Sequence, residues 1–138
     1  YGPGLPRQRV PKTLIDAAIQ GKSLHIESGG DFRVDHVYID DLVDGILLAL
    51  DKPIHKFDAY HMASGNAYSL YEIIDYINEL VPGSQLSIGP GQYLFGDRIE
   101  AVKKGALDIT RAHKELSYTP KFQMQDGLKA YLSANRAF

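Results

Sequence analysis

The stretch Val34-Asp35-His36-Val37-Tyr38-Ile39-Asp40-Asp41-Leu42-Val43 joins two kinds of apolar pattern. Its first six residues are rich in β-branched and aromatic side chains and predict a strand from Val34 to Ile39. Asp40 or Asp41 is expected to cap a following helix, because a carboxylate accepts free backbone N–H groups and faces the positive end of the helix dipole. Helical spacing predicts that this helix, ended by Pro53, buries Leu42, Val43, Ile46, Leu47 and Leu50.

The rest of the chain repeats this alternation of short strands and helices. Further strands are predicted at residues 23–28, 59–63 and 86–88, and further helices at 11–20, 69–81, from 108 and after 120. Ser69 and Glu72 match a capping box, in which the two side chains satisfy free N–H groups at a helix start. Strands that alternate with helices indicate an α/β fold. Because the strands are few and short, we expect one small domain over residues 1–138 without a Rossmann half.

Residues 89–105 have no clear periodicity and contain four glycines. A loop of this length inside a small domain is usually functional or mobile. Its aromatic residues Tyr93 and Phe95 belong to no periodic face. We therefore expect this loop to fold over a ligand; packing of the two aromatic side chains onto the domain core is the alternative.

Composition excludes several classes of function. The hydrophobic content of 44% and charged content of 23% are typical of a folded globular chain. A net charge of -2 gives no basic surface for nucleic acid or an anionic membrane, and no apolar run is long enough to span a bilayer. The absence of cysteine excludes disulfides and thiolate ligands and suits a cytoplasmic location. The five histidines match no metal-binding motif, so no metal site is predicted.

Several segments in order resemble one known family. They are Tyr1-Gly2-Pro3-Gly4, Leu24-His25-Ile26, His36 to Val43, Tyr60-His61-Met62-Ala63-Ser64-Gly65, and Leu107 to Pro120. Together they resemble the carboxy-terminal half of the extended short-chain dehydrogenases/reductases, the NAD-dependent epimerase/dehydratase family that includes UDP-glucose 4-epimerase. The resemblance implies a substrate-binding domain of an enzyme that binds NAD or NADP and a nucleotide-diphosphate sugar. A nucleotide-sugar 4-epimerase is the version it favours.

The chain lacks the parts of that family that perform the chemistry. No glycine-rich strand–turn–helix for pyrophosphate is present, and none of the nine tyrosines has a lysine four residues on. The resemblance therefore implies an N-terminal Rossmann domain as partner and leaves a homodimer of the complete enzyme open. We predict no catalytic residue within the chain, no cofactor bound by it alone, and no activity of its own.

Arginines are the side chains that the resemblance assigns to the substrate's diphosphate. Arg33 precedes the strand-to-helix junction, and Arg98 lies in the long loop; a guanidinium matches phosphate oxygens bidentately. Arg33 lies one residue away from the family's arginine, and such a shift turns a strand side chain to the opposite face. A surface position is the alternative for both. Lys103 and Lys104 are local substitutes or solvated charges.

Two further sites follow from the resemblance. Val10, Pro11 and Lys12 correspond to the segment that packs against the nucleotide base, although a proline in the first turn of a helix accounts for the same residues. Tyr1 and Pro3 correspond to residues that line the cleft beside the cofactor.

Two other functions stay open at this point. The altered register of Arg33 weakens a diphosphate site and favours a dehydrogenase or reductase of steroids or other small molecules. A non-catalytic binding module is the second alternative, because the chain contains no catalytic pair.

Overall fold

The computed structural model of the chain describes residues 1–95 and 98–136. Its helices are α1 (Lys12–Ile19), α2 (Ile39–Asp51), α3 (Leu70–Leu80), α4 (Thr110–Leu116) and α5 (Met124–Arg136). Its strands are β1 (Leu24–Ile26), β2 (Arg33–Val34), β3 (Tyr68–Ser69), β4 (Leu86–Ile88), β5 (Leu94–Phe95) and β6 (Ile99–Glu100). This order confirms the predicted α/β class with few, short strands. Within the described residues no helix is long and apolar enough to cross a membrane.

The main hydrophobic core lies between α1, α3, α5 and the pair β1–β4. The two strands are parallel, with Leu24 opposite Leu86 and Ile26 opposite Ile88. The most deeply buried helical side chains in this core recur at spacings of three and four residues, as amphipathic helices require. They include Leu14, Ile15, Leu70, Ile73, Ile77, Met124 and Leu128.

The start of α3 is fixed by the predicted capping box. Ser69 Oγ accepts a hydrogen bond from Glu72 N at 3.2 Å, and the Glu72 carboxylate accepts one from Ser69 N at 2.7 Å. Ser69 also pairs with Arg33 in the antiparallel β2–β3 ladder. The capping box therefore ties the first turn of α3 to β2.

A second, smaller cluster joins α2 to α4. Ala112, Leu116 and Tyr118 form its buried centre, with Met62 packed against them. Gly45 of α2 permits this contact, because a Cβ there would lie 2.7 Å from Met62 Sδ. The cluster therefore covers only one face of α2.

The other face of α2 corrects the prediction of a buried stripe. Val43, Ile46, Leu47 and Leu50 are exposed to 44%, 47%, 52% and 75%. Leu42 is half-buried. The periodicity correctly predicts the helix, but no described element packs on this side.

Two predicted strands and the helix cap also differ from the structure. Residues 35–38 form no strand; Ile39 N donates to Tyr1 O at 2.8 Å. Residues 59–63 form no strand because no described strand lies beside them.

Tyr38 is the N-cap residue of α2, without a side-chain cap bond. Asp41 instead accepts hydrogen bonds from Lys121 N at 2.8 Å and Phe122 N at 3.0 Å.

Candidate substrate cavity

A cavity of about 370 Å³ opens between the segment before α1, β2 and the long loop. A cavity of this size falls in the range of small-molecule sites. Its lining is mostly apolar, with a few polar groups. The lining residues are Gln8, Arg9, Val10, Thr13, Ile26, Phe32, Val34, His36, Leu70, Tyr93 and Lys104.

The first wall is the segment that leads into α1. Arg9 O accepts a hydrogen bond from Thr13 N at 2.9 Å, which fixes the turn before the helix. Val10 lines the cavity, and the peptide bond between Val10 and Pro11 is cis. Pro11 is fully buried as the N-cap residue of α1, so it supports this wall from behind.

The second wall comes from alternate residues of the segment beginning at β2. Val34 and His36 line the cavity, whereas Arg33 does not. The guanidinium of Arg33 instead donates to Ala67 O at 2.8 Å and lies 3.0 Å from Glu72 Oε2. The hydrogen bond from Ser69 N, assisted by the charge of Arg33, lowers the pKa of Glu72. The one-residue shift seen in the sequence thus places Val34 in the cavity wall and turns the arginine away.

Asp35 anchors this wall from the side opposite the cavity. Its carboxylate accepts hydrogen bonds from Ser64 N at 2.9 Å, Ser64 Oγ at 2.6 Å and Gly65 N at 3.0 Å. It also accepts one from Leu107 N at 3.1 Å. One side chain therefore joins the residues before α2, the turn at 64–66 and the segment before α4.

His36 is a polar group in the cavity wall that lacks a partner. Its Nε2 is buried and forms no hydrogen bond with the described residues. Burial lowers the pKa of His36 to about 4, so the imidazole is neutral near pH 7. A buried polar atom without a hydrogen bond is unfavourable, and the described residues do not offset this cost.

The third wall belongs to the long loop. β5 and β6 form a short antiparallel hairpin, with Leu94 opposite Glu100. Tyr93 lies beside Phe32, their ring centroids 6.1 Å apart, and Tyr93 O accepts a hydrogen bond from Ala101 N at 2.8 Å. The described residues between 89 and 105 thus contain local structure, and Tyr93 and Lys104 among them contribute to the cavity wall.

The predicted site residues are therefore only partly brought together. Of these, Val10 lines the cavity, whereas Arg98 is exposed and outside its lining. Lys12 forms an ion pair with Asp16 of its own helix. Pro3 is exposed.

Tyr1 is held at the edge of the main core. Its hydroxyl donates to Met124 O at 3.2 Å, and its amino group donates to Val37 O at 2.7 Å. Its ring makes edge contacts with the rings of His36 and Tyr38. Tyr1 therefore lies behind the wall that carries His36.

Other lining residues were not predicted as site residues. Gln8 and Arg9 precede the predicted base-binding segment, and Thr13 follows it. Extending the predicted segment by one or two residues at each end would include all three. His36 alternates with Tyr38 in the sequence, but this pattern does not specify which face meets a cavity. Among the described residues, no group of acidic, histidine or cysteine side chains could hold a metal ion.

The model of the NAD dependent epimerase/dehydratase family matches residues 1–63 of the chain. Among curated relatives, dTDP-4-dehydro-6-deoxyglucose reductase of Escherichia coli is 31% identical over 103 residues, which are 74% of this chain and 30% of the relative. The chain spans less than half the length of the curated relatives it matches.

Two solved structures of similar chains contain sugar nucleotides. The UDP-glucose 4-epimerase of Thermotoga maritima with UDP-glucose is 25% identical, with a TM-score of 0.79 over 99% of this chain and 43% of that one. The UDP-glucuronic acid 4-epimerase of Bacillus cereus with UDP-glucuronic acid and NAD is 26% identical, with a TM-score of 0.75 over 100% and 43%. The chain is similar to members of the NAD-dependent epimerase/dehydratase family of extended short-chain dehydrogenases/reductases, and its fold matches the carboxy-terminal part of such enzymes.

Proposed function

We propose that the chain is the substrate-binding domain of an NAD(P)-dependent sugar-nucleotide epimerase or dehydratase. In this proposal a nucleotide-diphosphate sugar occupies the cavity, and a dinucleotide-binding half preceding residue 1 holds NAD or NADP. The observation that carries it is the cavity itself, built from the turn before α1, His36 and the long loop. A 4-epimerase is the version we favour, because two similar structures are 4-epimerases of UDP-sugars.

The proposed division of labour follows from the residues of the chain. NAD or NADP, when bound, supplies the hydride acceptor for oxidation at a carbinol carbon of the sugar. This chain has no tyrosine with a lysine four residues on, so the acid/base pair belongs to the other half. The chain contributes binding and orientation, which hold the reacting carbon in place.

We assign the diphosphate first to the two cations in the cavity wall. Arg9 and Lys104 line the cavity, and their exposed ends are free to turn toward an anionic ligand. The neutral imidazole of His36 offers one hydrogen bond to the sugar or phosphate. Val10 and Phe32 provide apolar surface for the base, in keeping with the role predicted for the segment that contains Val10.

Substitution of the cavity cations is expected to weaken substrate binding in the longer protein that carries both halves. Arg9→Ala and Lys104→Ala should each raise the KM for a nucleotide-diphosphate sugar about tenfold, because each removes a charge-assisted contact worth about 1.5–3 kcal/mol. Lys103→Ala is the matched control, since its neighbour lines the cavity and Lys103 does not. Steady-state kinetics measures the effect, and an unchanged KM for both variants contradicts the assignment.

Arg33→Ala in the same assay tests the role that the resemblance implies for that residue. To reach a phosphate, the guanidinium must break its ion pair with Glu72 and its hydrogen bond to Ala67 O. A tenfold rise in KM for Arg33→Ala, with none for Lys104→Ala, assigns the phosphate to Arg33. Arg98→Ala extends the comparison to the second predicted arginine.

One observation favours a second candidate function. Val34 occupies the cavity wall where the resemblance implies an arginine, and Ile26, Phe32 and Leu70 add further apolar surface. Such a wall suits a non-phosphorylated substrate of a dehydrogenase or reductase. Activity of the longer protein on a steroid or similar alcohol, without activity on any sugar nucleotide, selects this candidate.

A further inference from the structure

Two aromatic rings from separate parts of the chain meet in one corner of the cavity. Phe32 and Tyr93 both line the cavity, with their ring centroids 6.1 Å apart and their planes inclined at 34°. We call this pair the aromatic corner. Tyr93 is half-buried, because it also packs against the main core. Planar groups pack favourably on aromatic rings in offset and tilted contacts, so the corner suits a flat, heteroaromatic part of a ligand.

Hydrogen bonds between two turns bring these rings together. Asp31 N donates to Gly91 O at 3.0 Å, and the Asp31 carboxylate accepts a hydrogen bond from Gly91 N at 2.7 Å. Asp31 directly precedes Phe32, and Gly91 lies two residues before Tyr93. The main chain is therefore joined beside the point where the two side chains meet.

Gly29 provides the space that Tyr93 occupies. A Cβ at position 29 would lie 3.2 Å from Cδ2, 3.3 Å from Cα and 3.4 Å from Cβ of Tyr93, which is closer than most Cβ contacts in proteins. The φ angle of Gly29 is 116°, a conformation that residues with a side chain rarely adopt. A larger residue at this position must therefore displace Tyr93, its main chain included.

The loop that carries Tyr93 also brings a cation to the cavity. Lys104 lines the cavity together with Tyr93, although the two are distant in sequence. Ala101 is buried, and its N–H donates to Tyr93 O at 2.8 Å, so the chain returns to Tyr93 after the β5–β6 hairpin. A ligand that contacts both Tyr93 and Lys104 needs a planar group and an anionic group. A nucleoside diphosphate contains both.

We infer that the aromatic corner binds the nucleobase and that Gly29 is a positioning residue, which acts by leaving room for Tyr93. This inference rests on the proposed function, from which it takes the nucleotide-diphosphate sugar. Phe32 and Val10 offer apolar surface to the base in that proposal, and Tyr93 adds a second ring from the long loop. The competing role of Tyr93 is packing onto the core alone.

The role of Tyr93 is tested by calorimetry on the longer protein with two ligands. Tyr93→Ala should raise the Kd of UDP about tenfold, within the range for loss of one base–aromatic contact. It should change the Kd of inorganic pyrophosphate, which has no base, by less than about twofold. Tyr93→Phe retains the ring and should bind UDP within about twofold of the wild type. An unchanged Kd of UDP for Tyr93→Ala, or equal changes for both ligands, contradicts binding of the base at this corner.

Gly29→Asn tests the positioning role, because asparagine tolerates a positive φ better than most residues with a side chain. It should raise the Kd of UDP about fivefold, and it should add nothing to Tyr93→Ala in the double variant. Gly91→Asn is the matched control, since φ there is 88° and a Cβ would meet nothing within 4 Å. It should leave the Kd of UDP within about twofold of the wild type. Equal effects of the two asparagine variants, or additivity with Tyr93→Ala, overturn the positioning role.

NMR of the ligand-free longer protein reports the position of Tyr93 without any nucleotide. The nuclear Overhauser contact between the rings of Tyr93 and Phe32 should be present in the wild type and in Gly91→Asn, and lost in Gly29→Asn. Its survival in Gly29→Asn contradicts the positioning role, whatever the substrate. If the wild type binds no UDP, the proposed substrate and the base site are both wrong. If it binds UDP and every variant binds equally, the substrate stands and only the role of the aromatic corner is wrong.

Discussion

Asp35→Ala is expected to lower the free energy of unfolding by about 3 kcal/mol, the largest loss of stability predicted for a single polar side chain here. The carboxylate accepts three hydrogen bonds from backbone N–H groups and one from the hydroxyl of Ser64. Hydrogen bonds to a charged group contribute about 1.5–3 kcal/mol each, and water replaces part of the loss at this half-buried position. Urea denaturation of the wild-type chain and the variant measures the difference.

Asp31→Ala is the matched control for this substitution. Asp31 is exposed, and its carboxylate accepts a hydrogen bond from Gly91 N at 2.7 Å. Its removal should cost less than about 1 kcal/mol. Asp35→Asn keeps one acceptor and should fall between the two variants. Equal losses for Asp31→Ala and Asp35→Ala are incompatible with the anchoring role of Asp35.

The 138-residue chain is expected to bind neither NAD nor NADP, whereas the longer protein binds one of them saturably. Pyrophosphate binding requires a glycine-rich turn between a strand and a helix N-terminus. The pairs Gly2/Gly4 and Gly89/Gly91 each enclose a proline instead. Close packing explains the glycine at position 89, because a Cβ there would lie 1.9 Å from Glu27 O.

Isothermal titration of both proteins measures this difference. For the short chain we expect no saturable heat up to millimolar cofactor, so the ratio of affinities exceeds about a hundredfold for a longer protein with a Kd near 10 µM. Saturable binding by the short chain would mean that a cofactor site exists within these residues. It would also contradict the prediction that the chain alone is inactive for want of cofactor.

Local signals in the sequence predict the parts of the fold that local chemistry determines. The capping box of Ser69 and Glu72 and the apolar spacing of Ile73 and Ile77 specify α3 without reference to other elements. In the last helix, Met124, Leu128 and Leu132 are buried as the spacing predicts. In both helices the apolar face meets a partner within the same chain.

Features that depend on a distant partner are predicted less well. The periodicity of α2 correctly predicts a helix. It does not predict whether Leu47 or Leu50 is buried, because burial depends on which other elements pack against the helix. The strand expected at 59–63 has the right residues and no described neighbour. Strand pairing is a property of two segments, so one of them is insufficient to predict it.

The cavity shows the same limit for individual side chains. Val10, which the resemblance assigns to the substrate, lines the cavity, and the shift of one residue gives a physical reason for the outward position of Arg33. His36 and Arg9 could not be identified, because a single histidine or arginine in a sequence carries no information about the cavity it meets. Lys104 was predicted only as a local substitute for the arginines.

The central claim is that a nucleotide-diphosphate sugar occupies the cavity, and the imidazole of His36 is its most direct reporter. Because this ring lines the cavity, we expect a bound ligand to change its surroundings. The measurement is the NMR signal of the His36 ring, assigned through His36→Asn, in the longer protein titrated with UDP-glucose. We predict a saturable change whose midpoint equals the Kd from calorimetry. A His36 signal that is unmoved by saturating UDP-glucose, but shifts with a non-phosphorylated alcohol, would contradict the account.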